Sequence, residues 1–122
     1  MNEVKRTCLF RTSTSWDGAL LPDYPHEQPE IVAMRLEFPP GKKLNWHHHP
    51  VINFGFVQQG NLTIIAEDGT ERTFHQGEYL VEMVNTIHCG ENRGSTPVVL
   101  IMFYLAHKDQ PVTIETPTSP SP

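Results

Sequence analysis

The sequence predicts an all-β fold, and three observations carry that prediction. Apolar residues alternate with polar ones over short stretches, and no window of eleven or more residues keeps them at helical spacing. Eleven prolines and eight glycines cut the chain into pieces of strand length. Turn signals, notably Asp68-Gly69 and Gln76-Gly77, fall between those pieces. At 122 residues the chain suits one domain with one core.

Taken in order, Lys5 to Arg11 suits a strand at a sheet edge, within an amino-terminal arm of residues 1–30. Trp16-Asp17-Gly18 and Pro22 to Pro29 read as irregular loop. Ile31 to Phe38 alternates through Ile31, Ala33, Leu36 and Phe38, with room for a bulge where the pattern slips at Met34-Arg35. Pro39-Pro40-Gly41 ends that strand, because proline cannot donate to a sheet ladder. Asn61 to Ala66 and Thr70 to His75 form a hairpin, for which Asp68-Gly69 supplies the positive φ angles of a two-residue turn. Glu78 to Val84 is the next strand. Val98 to Leu105 is a continuous apolar run suited to a strand buried on both faces, in the body of the fold or at a subunit contact. The main body covers 31–110. From Pro111 the composition shifts, and residues 111–122, ending in Thr116 to Pro122, are expected to be a disordered tail.

Composition excludes several function classes. Nine basic residues against fourteen acidic give a net charge of −5, with no Lys/Arg cluster beyond Lys5-Arg6 and Lys42-Lys43. That is no footprint for nucleic acid. The longest apolar run, Val98 to Ala106, falls far short of the ~20 residues that span a bilayer. The first twenty residues lack the apolar stretch of a secretory signal, so a cytoplasmic location is expected. Cys8 and Cys89 are too few for a disulfide framework and read as two buried reduced thiols.

The chemistry concentrates at Trp46-His47-His48-His49-Pro50. On an extended strand His47 and His49 share one face, where two neutral imidazoles can reach one ion, whether zinc, iron, manganese or nickel. Asn53 joins that face if the strand stays regular. A lone H-x-H pair more often decorates a surface, so the weight comes from what surrounds it. Gly41, His47, His49, Asn53 and Gly60 match in spacing the first motif of the cupin superfamily, and Gly77, His88 and Asn92 match the second. Sixteen residues, Asn61 to Gln76, separate the two motifs and contain the hairpin. Over residues 41–92 the chain thus resembles a small single-domain cupin.

The resemblance implies a double-stranded β-helix, the jelly-roll barrel, with a divalent metal at its mouth held by His47, His49 and His88. Two departures matter. Asn53 stands where the motif has a glutamate ligand, so three neutral imidazoles would leave a stronger Lewis acid with open positions. Met83 and Asn85 replace the motif's proline and second glycine. Glu82, in an otherwise apolar stretch, is costly to bury unpaired. It is a candidate for substitute ligand, for orienting a ligand histidine or for general base; a solvent-facing or interface glutamate is the bland reading.

Cys89, Trp46 and His48 should point away from the metal, and His26, His75 and His107 read as surface residues. Phe54, Phe56, Tyr79, Phe103 and Tyr104 read as core or interface aromatics, one or two of which line the pocket. The apolar last strand and the amino-terminal strand suggest a homodimer. Three-histidine cupins include thiol and diketone dioxygenases. That precedent implies a metal-dependent oxidoreductase acting on a small organic molecule. A non-catalytic small-molecule sensor and a metal-dependent isomerase or lyase are the alternatives.

Overall fold

A computed structural model describes residues 3–117. Nine strands follow in chain order: β1 (Pro29–Phe38), β2 (His47–His48), β3 (Ile52–Gln59), β4 (Asn61–Ala66), β5 (Glu71–His75), β6 (Tyr79–Val81), β7 (His88–Glu91), β8 (Val98–His107) and β9 (Ile114–Glu115). There is no helix among the described residues. The strands form two antiparallel sheets, ordered β1-β8-β3-β6 and β5-β4-β7-β2-β9, packed face to face as a jelly roll.

The four-stranded sheet is the regular one. β1 and β8 pair over ten rungs, from Pro29↔His107 to Phe38↔Val98, without a register shift. The bulge expected at Met34-Arg35 is therefore absent, and the expected apolar face is partly inverted. Val32, Leu36 and Phe38 pack on or in the core, whereas Ile31 is 71% exposed. The slip in the sequence arises because both faces of this strand carry apolar residues, so alternation does not mark the inward one.

β8 lies between β1 and β3 and is buried on both faces only over Val98–Leu100. Beyond that, Met102, Tyr104 and Ala106 point inward, and Ile101, Phe103 and Leu105 lie half-buried on the outer face. There Phe54 stacks near Phe103 and Phe56 near Tyr79, with ring centres 5.7 and 5.8 Å apart. Of the five aromatics singled out from sequence, only Tyr104 faces the interior.

The core between the sheets is built on Phe38, Val57, Leu62, Ile64, Phe74, Leu80, Val98 and Leu100, all buried. Each large apolar side chain so buried contributes roughly 1.5–3 kcal/mol. The β4–β5 hairpin forms, but not with the expected two-residue turn. Gly69 N donates to Ala66 O (3.0 Å) and Ala66 N to Thr70 O (2.8 Å), and only Gly69 has positive φ (91°). This is a three-residue loop closing on a left-handed glycine. Asp68 instead caps it, its carboxylate accepting from Thr70 N at 2.9 Å.

Other boundaries differ from expectation as well. Lys5 to Arg11 forms no strand; ahead of β1, which begins at Pro29, the arm's one bridge among the described residues is Thr14↔Leu20. Trp16 N donates to Val81 O at 2.9 Å and Phe10 stacks on Tyr79 at 5.8 Å, and together these hold the arm to β6. The strand expected over Glu78 to Val84 shrinks to Tyr79–Val81, since its single neighbour is β3. Cys89 is fully buried but Cys8 is exposed, and both are free. The expected tail does not start at Pro111: Val112 is buried and β9 pairs with β2, with Thr116 N donating to Trp46 O at 2.8 Å. Buried apolar surface and a free strand edge at β2 outweigh the composition there. Residues 118–122 of that tail lie outside the described ones.

Candidate metal centre

Three short elements of the five-stranded sheet bring the histidines together. β2 carries His47 and ends at His48; β7 starts at His88, which pairs directly with His47. Pro50 and Val51 then turn the chain into the other sheet, so the run from His47 to Asn53 is not one regular strand. His49 nevertheless stays on the site side, because Asn85 N donates to its carbonyl oxygen at 2.8 Å. Asn85 holds a left-handed φ of 62° at the position where the second cupin motif has a glycine. Asparagine tolerates that conformation better than most residues, which explains how the motif survives the substitution.

The three imidazoles are buried, and one ring nitrogen from each lies within 4.8 Å of the others. Every Nδ1 faces a backbone carbonyl oxygen: His47 to Asn45 O (2.7 Å), His49 to Val112 O (2.9 Å) and His88 to Thr86 O (2.7 Å). Carbonyls only accept, so each Nδ1 carries the proton and donates it. Each Nε2 is thereby left as a bare lone pair, the tautomer a metal ligand needs. Burial, foremost, pushes all three imidazoles toward the neutral form, His49 down to about 4.

Glu82 is buried beside this cluster. Its Oε1 accepts from the Trp16 indole N–H and from Met83 N, both at 3.1 Å. Its Oε2 lies 3.4 Å from His88 Nε2, without the geometry of a hydrogen bond. Burial raises the affinity of this carboxyl for its proton, and the neighbouring imidazoles partly offset that. Asn53 lies across from it: Glu82 N donates to Asn53 O at 3.0 Å, one rung beyond Phe54↔Val81. The carboxylate absent from the motif position on β3 thus stands across from it, on the residue just past the end of β6.

The residues present fit a metal ion. Among the described residues, the two buried side-chain polar atoms with no partner are His88 Nε2 and Asn53 Oδ1, and both residues line the same cavity. An orphaned lone pair at such depth costs roughly 1–3 kcal/mol, a cost that an ion between them removes. Asn53 Nδ2 is already satisfied by Val51 O at 2.9 Å, which leaves the oxygen for the site.

The cavity holding these groups measures about 220 Å³. His47, His49, His88, Asn53 and Glu82 all line it, so all five residues singled out from sequence meet there. Asn92, the last motif residue, does not; its amide clasps Phe38 O, Pro39 O and Thr96 O and holds a loop. Cys89, behind His88, faces away and is a small buried core residue. Tyr104 is the one of the five aromatics singled out from sequence that lines the cavity, whereas Trp16, Val112, Thr113 and Glu115 were not foreseen in the site. Trp16 and Val112 reach it through contacts 66 and 63 residues apart in sequence, which no local pattern encodes.

Comparison with known proteins bears on the fold and the family. The oryzines biosynthesis cluster protein J of Aspergillus oryzae is 29% identical over 83 residues, 68% of this chain and 45% of that protein. The chain thus spans about half the length of that curated relative. An oxalate oxidase solved with the substrate analogue glycolate matches with a TM-score of 0.58 and 22% identity, over 70% of this chain and 45% of that one. The salicylate 1,2-dioxygenase of Pseudoaminobacter salicylatoxidans (W104Y mutant) matches with a TM-score of 0.55 and 20% identity, over 61% and 22%. At these identities the two structures speak for the fold. The family model described as "Cupin domain" matches residues 34–104, more than half the chain and the whole of the histidine cluster, and the chain belongs to the cupin family.

Proposed function

We propose that this chain is a metal-dependent oxidoreductase of dioxygenase type, acting on a small organic molecule with dioxygen as oxidant. The observation that carries the reading is the cluster of three neutral imidazoles, each fixed through Nδ1 on a backbone carbonyl, beside a buried carboxylate. His47, His49 and His88 would hold the ion, and Asn53 Oδ1 and Glu82 Oε2 are the further donors at its border. Iron, manganese, nickel and zinc all accept such a set, and the reading calls for a redox-active one. When bound, that ion supplies Lewis acidity and a route for electrons between substrate and dioxygen.

The protein's own groups supply the rest. Trp16 and Met83 N hold Glu82 Oε1, so the carboxylate cannot rotate and Oε2 stays aimed at the cluster. A buried carboxyl with raised proton affinity suits a general base that takes a proton from the substrate. The fold precedent includes an oxidase and a dioxygenase, as their names state.

The test is metal content and oxygen consumption of tag-free protein, beside His47→Ala and His88→Ala. Iron in the wild type, its loss from both variants, and oxygen uptake with a thiol or diketone are expected. Full metal in both variants would defeat the site assignment. Zinc or nickel without oxygen uptake would leave the isomerase, lyase or sensor readings instead.

We also infer a homodimer through the outer face of the four-stranded sheet. Ile31 is 71% and Phe54 39% exposed there, beside half-buried Phe56, Ile101, Phe103 and Leu105. Arg35 and Glu37 on that face neutralise each other at 3.1 Å, so two copies can meet without like-charge repulsion. Light scattering should give a dimer for the wild type and a monomer for Phe54→Lys; a monomeric wild type overturns the inference.

A further inference from the structure

The cavity itself limits what can occupy it. Its inward walls change character along one axis. At one end Tyr104 pairs with Asn53, and its ring lies 5.6 Å from that of His49. Further along β8, Met102 and Leu100 pair with Met34 and Leu36 of β1, and Phe38 and Leu62 close the far end. Polar and apolar linings are thus separated rather than mixed. Among the described lining residues there is no Lys or Arg, and the two charged ones are Glu82 and Glu115.

Resting on the metal reading above, we propose that the substrate is a small amphipathic monoanion, with a chelating head of single negative charge at the histidine cluster and an uncharged apolar tail along Met102, Leu100, Leu36 and Phe38. The lining sets the head. A dication on three neutral imidazoles attracts an anionic chelating group, while Glu82 and Glu115, with no Lys or Arg among the described lining residues, disfavour a second negative charge. The lining also sets the tail. A second anionic group at the far end finds no cation and no donor cluster, and burying it unpaired is strongly unfavourable. Size sets the length. About 220 Å³ exceeds the roughly 150 Å³ that suffices for benzene, and fits a ring or a chain of about six carbons.

The probes are 2-hydroxyhexanoate, 2-hydroxyadipate and glycolate, titrated by calorimetry at pH 7 into protein whose zinc content has first been measured. All three share one chelating head; the first two share a length and differ in the terminal charge. Binding of 2-hydroxyhexanoate at least tenfold tighter than either of the others is the expected result. Equal or tighter binding of 2-hydroxyadipate or glycolate, or no binding of any probe to loaded protein, overturns the substrate class. Protein that takes up no zinc fails at the metal reading, an outcome separate from these. Met34 is 40% exposed and lines the cavity beside Met102, so Met34→Lys should fold. In that variant 2-hydroxyadipate should gain at least fivefold relative to 2-hydroxyhexanoate. An unchanged ratio means the tail does not pass Met34, and the proposal falls.

Discussion

The two sheets solve different problems. In the four-stranded sheet, β1 and β8 run ten residues each in unbroken register, and β3 follows β8 for nearly its whole length. Backbone ladders hold it, and its inward face is mostly apolar. The site-bearing half of the other sheet is built from fragments: two residues in β2, four in β7, two in β9. There the buried groups are histidines, and side chains bonded to carbonyls do the work that ladders do opposite. A continuous sheet serves as a scaffold, while short strands let three neighbouring turns of chain aim side chains at one point.

The largest effect should come from disturbing the scaffold. Gly55 on β3 sits opposite Met102, and an added Cβ would overlap the Ile101 carbonyl oxygen. The clash is with backbone of the central strand, so it cannot be relieved by a rotamer. Gly55→Ala should destabilise by about 3–5 kcal/mol, read by urea unfolding. A loss below about 1 kcal/mol would mean that the scaffold is softer than its register suggests.

Acid should instead unfold the metal-free protein from the site side. His49 titrates at about 4 when folded and near 6.5 when unfolded. Between those values the unfolded chain binds a proton that the folded one does not, so stability falls as the pH drops from 6.5 to 4. His49 alone contributes on the order of 3 kcal/mol to that fall. Glu82 has the opposite sign: its raised folded pKa removes stability as the pH rises through it. Glu82→Gln should therefore steepen the loss on acidification while raising stability at pH 7. Denaturant curves at pH 7, 5.5 and 4.5 for both proteins, without metal, check the signs.

The contrast between the sheets also decides what was legible in the sequence. The hairpin and the strand at Ile31–Phe38 were readable because each spans several alternating residues between turn residues, and the last long strand because it is a continuous apolar run of strand length. The histidines were readable through the resemblance to the cupin motifs, in which His47, His49 and His88 occupy fixed offsets from Gly41 and Gly77; the H-x-H pair by itself would not have marked them. The inward face of β1 was not, because Ile31 and Ala33 on its outer side are as apolar as Val32 and Leu36 within. β9 was invisible: Ile114–Glu115 is two residues long and orders only because β2 offers a free edge. Nor does anything near Trp16 announce an indole N–H reaching Glu82, 66 residues away.

Those two unforeseen contacts give the smaller predictions, and both probe whether the site depends on distant chain. Thr116→Pro removes the N–H that Thr116 donates to Trp46 O, loosening β9 and with it the Val112 carbonyl that fixes His49. Metal affinity, measured by chelator competition, should fall about tenfold or more with the thermal midpoint shifted by only a few degrees. Trp16→Phe should act more weakly. It keeps the ring that packs edge-on against Phe74 at 6.1 Å but deletes the hydrogen bond to Glu82 Oε1. Met83 N still holds that oxygen, so the carboxylate is loosened rather than freed. A stability loss of about 1 kcal/mol and a severalfold drop in metal affinity are expected. Because a merely structural role would move stability alone, unchanged affinity in Trp16→Phe would remove Trp16 from the site and leave the arm as packing. A drop in affinity that is absent from Phe10→Ala, which loosens the same arm without touching Glu82, would tie it to the indole.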